Sequence, residues 1–165
     1  MNKAQKLLES LNAGNYDPNK LQIRNAPLGG TLYLYKTMIS GQEAEFRMTE
    51  KRRILDVVFE FSGRGYKRHK MTFPEDTGNM RQMLGITAKM LEDVYYENYR
   101  DIGVIRFSAD ARNPSRVKLY DRFAKMIAVK LGGGETQIRR KFDGESIVFT
   151  IILPSAFDRE SEGYV

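Results

Sequence analysis

The chain has no cysteine and a single histidine. Without thiols there is no disulfide scaffold, no thiol nucleophile and no Cys-based zinc site. His69 alone cannot make a histidine metal cluster, and any Ser-His-Asp triad would have to use it. It stands in Lys67-Arg68-His69-Lys70 and reads as a surface residue of a basic strand. No apolar run approaches the roughly 20 residues that a membrane-spanning helix needs. Met1-Asn2-Lys3-Ala4-Gln5-Lys6 leads into no apolar signal core, so a cytoplasmic protein is expected. Polar chemistry must come from carboxylates, tyrosines, hydroxyls and backbone groups.

At 165 residues, with 41% hydrophobic and 29% charged side chains, the chain has the size and composition of one folded domain. The expected domain spans residues 1–165, with a short helix and loop over 1–20 and a polar, frayed tail over 156–165. The net charge is +6 and unevenly spread. Lys51 to Phe73 and Arg112 to Lys130 each carry a net +5, whereas Glu75 to Asp101 carries −3. Such blocks suggest distinct faces. Two basic segments that met in space would attract phosphate. A solvated surface with a moderate positive excess explains the same numbers.

The hydrophobic pattern changes period along the chain. Leu7, Leu8 and Leu11 suggest a short amphipathic helix, and Leu21 to Arg24 a short strand. Thr31 to Ile39, Glu43 to Met48 and Ile54 to Phe61 read as strands of an antiparallel meander. Ser62-Gly63-Arg64-Gly65 is expected to turn it into a further strand, Tyr66 to Phe73. After Pro74 the apolar residues Met80, Leu84, Ala88, Leu91, Val94 and Tyr95 recur at helical spacing, to about Tyr99. Val104 to Ala109 reads as a strand. Asn113 then suits an N-cap and Pro114 the first helical position. The stripe Val117, Tyr120, Phe123, Ala124, Ile127 and Leu131 continues that helix to Gly132-Gly133-Gly134. Gln137 to Phe142 and Ser146 to Leu153 form a hairpin around Asp143-Gly144. Met80, Met83, Met90 and Met126 read as core filler. The fold class is α/β (α+β): a mixed, mostly antiparallel sheet with helices on both faces.

Gln82-Met83-Leu84-Gly85-Ile86-Thr87 stands near the head of the central helix. The strand from Val104 then leads into Asn113, Pro114 and Leu119-Tyr120. Over about residues 66–153 this pattern resembles the second half of the GNAT (Gcn5-related N-acetyltransferase) family, with its Gln/Arg-x-x-Gly-x-Gly/Ala loop, following strand, Asn and Leu-Tyr. The resemblance implies a GNAT-like acyl-CoA N-acyltransferase fold. It implies amides around Gln82, Gly85, Ile86 and Thr87 that bind the diphosphate of acetyl-CoA at a helix N-terminus. It further implies Asn113 on the pantetheine arm, Arg112, Arg116 and Lys118 near the phosphates and the Tyr120 phenol beside the sulfur, where it protonates the departing thiolate. Glu60 and Asp56, which share a strand face with Val58, are the candidates for the base, Glu60 foremost; solvent-facing acids are the competing reading of that face.

Three functions follow as expectations. The first is an N-acetyltransferase that moves acetyl from acetyl-CoA to an amine, on a small molecule or a protein. The second is a GNAT-like module without catalysis, serving binding or structure, for example in a viral assembly. Thr87, standing where the family has Gly or Ala, motivates it. The third is a basic single-stranded nucleic-acid binder using Lys51-Arg52-Arg53, Arg64, Lys67, Arg68, Lys70 and Arg139-Arg140-Lys141, with Tyr33 or Tyr66 stacking on bases. A membrane partner is not expected, and a homodimer is compatible with all three.

Overall fold

The computed structural model describes residues 15–62, 77–98, 101–132 and 137–154. The expected N-terminal helix, the strand Tyr66 to Phe73, His69 and the tail lie outside them. After a short 3-10 turn come strands β1 (Gln22–Asn25), β2 (Thr31–Ile39), β3 (Gln42–Lys51) and β4 (Ile54–Ser62). Helix α1 (Thr77–Asn98), strand β5 (Val104–Asp110) and helix α2 (Pro114–Gly132) follow, and the hairpin β6 (Gln137–Asp143) and β7 (Ser146–Ile152) is the last of the described elements. The seven described strands form one sheet in the order β1-β2-β3-β4-β5-β7-β6. Among the described strands only β4 and β5 are parallel, and α1 lies in the long crossover such a pair requires.

Alternation builds the sheet. In β3, Ala44, Phe46 and Met48 are buried while Glu45, Arg47 and Thr49 between them are only partly so. In β5, Ile105, Phe107 and Ala109 do the same. The ladder registers Tyr35, Phe46 and Phe59 side by side on this inner face. The turn into β2 needs glycine: Gly30 has φ +85°, and a Cβ there would lie 2.0 Å from the Glu50 carbonyl oxygen.

Both described helices pack on the same face of the sheet, not one on each face as expected. Residues of α1 and α2 share one hydrophobic cluster with the inner faces of β2, β3, β4, β5 and β7. The helices also meet directly, through Lys130 Nζ to Glu92 Oε2 at 2.8 Å. Strand alternation fixes which residues share a face, but which face a helix covers depends on how each crossover runs. Met80, Met83, Met90 and Met126 are all buried core residues. Among the described residues no helix is long and apolar enough to cross a membrane.

Candidate active site

The parallel ladder between β4 and β5 is short. It has three rungs, Ile54–Val104, Leu55–Ile105 and Asp56–Arg106, and then stops. Strand β4 nevertheless continues to Ser62 and β5 to Asp110. Past the last rung, β4 and β5 are no longer paired with each other. Each remains bound on its outer edge, to β3 and β7 respectively. The inner edges of residues 57–62 and 107–110 thus face a split in the sheet.

Asp56 and Arg106, the last rung itself, are joined by two bonds: Nε to Oδ1 at 2.7 Å and Nη2 to Oδ2 at 2.9 Å. This fork-to-fork geometry is the strong form of a guanidinium–carboxylate pair. The bonds to Asp56, opposed by partial desolvation, hold the Arg106 guanidinium above its ordinary pKa. Above this pair, on the outer face, lies a cleft of about 270 Å³ lined by Val58, Ser108, Val148 and Asp143 as well as the pair.

On the inner face the split is bridged by Tyr120. A chain of rings crosses the sheet: Tyr35 to Phe46 at 6.1 Å, Phe46 to Phe59 at 6.1 Å, and, beyond the split, Phe107 to Phe149 at 5.3 Å. Between Phe59 and Phe107, where the strands have parted, α2 inserts Tyr120. Its ring stands edge-on to both, at 6.5 and 6.4 Å. Tyr120 is fully buried. Burial pushes its phenol well above the ordinary tyrosine value, against a smaller downward pull from Arg116, one helical turn earlier.

Asn113 is the N-cap of α2: its Oδ1 accepts from the Arg116 amide at 3.2 Å and its carbonyl from Val117 N–H at 3.1 Å. Just before it, Asp110 accepts bonds from the Arg112 guanidinium and amide, which hold its carboxyl down at about pKa 2.

Gln82, Gly85, Ile86 and Thr87 do not stand at a helix head. Helix α1 begins at Thr77, so all four lie in its second and third turns, where backbone amides bond to carbonyls four residues back. The amides that α1 itself leaves over are those of residues 77–80. Gly85, Ile86 and Thr87 are buried and Gln82 half-buried. The Thr87 hydroxyl donates to the Met83 carbonyl at 2.8 Å, so it crowds no loop. Continuous apolar burial through Met83, Leu84 and Ile86 carries the helix past a glycine that looked like its boundary.

Glu60 is 2% exposed, not solvent-facing. Its Oε1 accepts from Arg47 Nη2 at 3.0 Å, which offsets the like charge of Glu45 directly opposite in the ladder. It lies on the outer face, whereas its neighbour Phe59 meets Tyr120 on the inner one. The structure therefore brings Tyr120, Arg116 and Asn113 together at the head of α2, places Glu60 across the sheet from them, and sets Gln82 to Thr87 within α1. The Asp56–Arg106 pair carried no sequence signal, because its members are 50 residues apart.

No protein-family model, no curated protein and no solved structure matches the chain.

Proposed function

We propose that the chain is an N-acetyltransferase that takes acetyl from acetyl-CoA to an amine, using the split between β4 and β5 as the cofactor cleft. One observation carries the reading: two parallel strands leave their ladder after three rungs with a tyrosine at the fork. Such divergence is what the GNAT resemblance implies. Past the last rung β4 and β5 do not pair with each other, and their facing edges would offer backbone donors and acceptors to the amides of a pantetheine arm. The phosphates would meet the amides of residues 77–80 and the helix dipole, not Gly85. In the transfer, the amine nitrogen attacks the thioester carbonyl, the C–S bond breaks, and the Tyr120 phenol gives its proton to the thiolate. A phenol raised by burial is protonated and able to donate. Arg116, one turn away, favours the phenolate left behind. The amine's own proton would pass to water, since Glu60 lies across the sheet and is held by Arg47.

A second reading, a GNAT-like binding or structural module without catalysis, is favoured by the burial of Tyr120 and the engagement of Glu60 by Arg47. Isothermal titration with acetyl-CoA, followed by a thiol-release assay against a panel of primary amines, separates the two. Binding with thiol release that Tyr120→Phe lowers by about 10²-fold supports the enzyme. Binding without release supports the module. Absence of binding removes both.

A further inference from the structure

We propose that the groove between α2 and the β6–β7 hairpin is a binding surface for single-stranded nucleic acid, separate from the split and independent of the acetyltransferase reading. The groove encloses about 320 Å³ and is floored by Val117, Ile147 and Phe149. Lys118, Arg122, Lys125 and Arg140 form its rim, and Asp121 is its sole acid. Asp121 is already committed, to Arg140 and to Lys125 at 3.1 Å. Lys118 and Arg122 are exposed and one helical turn apart, and among the described residues neither makes an ion pair. Like charges at that spacing repel and cost helix stability, so their placement asks for an anion between them.

The cations of β6 have a structural explanation, since charged side chains block pairing along an exposed edge strand. That explanation does not reach Lys118 and Arg122, which belong to the helix across the groove. A second feature selects nucleic acid over an acidic peptide. Phe142 is 73% exposed, two residues along β6 from Arg140 and directly across the ladder from Ile147, which lines the groove. An exposed ring beside a cationic groove is the pairing that holds a sugar-phosphate chain while a base stacks.

The test is fluorescence anisotropy with labelled oligo(dT) and oligo(U) of about 12 nucleotides, a length within the range one such surface covers. If three or four phosphates are neutralised, affinity falls roughly 20- to 50-fold between about 50 and about 200 mM salt. Lys118→Glu with Arg122→Glu is expected to weaken binding at least about tenfold and flatten the salt slope. Phe142→Ala is expected to weaken it about 5- to 10-fold with the slope unchanged. All three positions are exposed, so melting temperatures should stay put, which separates lost binding from lost folding. Unaltered binding in the Lys118/Arg122 variant overturns the proposal. So does salt-independent binding. Equal competition by a poly-glutamate peptide of similar length also overturns it, in favour of an acidic protein partner.

Discussion

Tyr120 carries two roles that substitution can separate. Its ring fills the gap where β4 and β5 part, and its hydroxyl is the proposed proton donor. Tyr120→Ala is expected to cost about 3–5 kcal/mol by chemical denaturation, the range for truncating a buried aromatic ring. Tyr120→Phe keeps the ring and should retain most of that stability while losing the transfer chemistry. If both variants melt together, the ring is not what bridges the fork. Arg47 offers a test on the outer face. Arg47→Ala leaves the buried Glu60 carboxylate without its guanidinium and is expected to cost about 1–3 kcal/mol, the range for leaving a buried acceptor unsatisfied, since Arg47 itself is partly exposed. Adding Glu60→Gln to that variant should recover part of the loss, because no buried charge then remains.

Individual elements were legible where one local rule decided them. The apolar and β-branched run Thr31–Ile39 coincides with β2, and Asn113 with Pro114 marks the start of α2 through capping chemistry alone. Asn113→Ala is therefore expected to cost about 1 kcal/mol in thermal denaturation. A much larger loss would mean that Asn113 does more for the fold than cap its helix. Gly85 beside Gln82 imitates a loop at a helix head, whereas the helix begins at Thr77 and Met80, Met83, Leu84 and Ile86 are buried through that stretch by tertiary packing. The split has no local sequence signal, and only the GNAT resemblance implies it. It depends on where a ladder stops, and both strands beyond Asp56 and Arg106 retain ordinary alternating patterns. Tyr120 itself was visible as part of an apolar stripe, but its position between Phe59 and Phe107 needed the register of two distant strands.

For the molecule as a whole, one core beneath the sheet carries both helices, and charge is arranged around it. Two carboxyls on or beside α2 are held low. Asp110 is lowered first of all by its bonds to Arg112. Asp121 is raised by desolvation but lowered further by Arg140 and Lys125, with a net downward shift. A carboxyl lowered in the folded state contributes stability above its ordinary value, and loses it as pH falls towards the lowered one. Stability should therefore decline between about pH 4 and about pH 2, and Asp110→Asn with Asp121→Asn should make that decline shallower in urea melts across the range. An unchanged slope would place the acid sensitivity elsewhere.

The central claim is that the β4–β5 split accepts a coenzyme A thioester. It is tested most directly by comparing acetyl-CoA-dependent thermal stabilisation of the native chain with that of Ser108→Trp, which fills the cleft from its wall. With acetyl-CoA at about 100 times its dissociation constant, the native chain should gain roughly 2.7 kcal/mol and the filled variant close to nothing. No stabilisation of the native chain, or equal stabilisation of both, would contradict the claim.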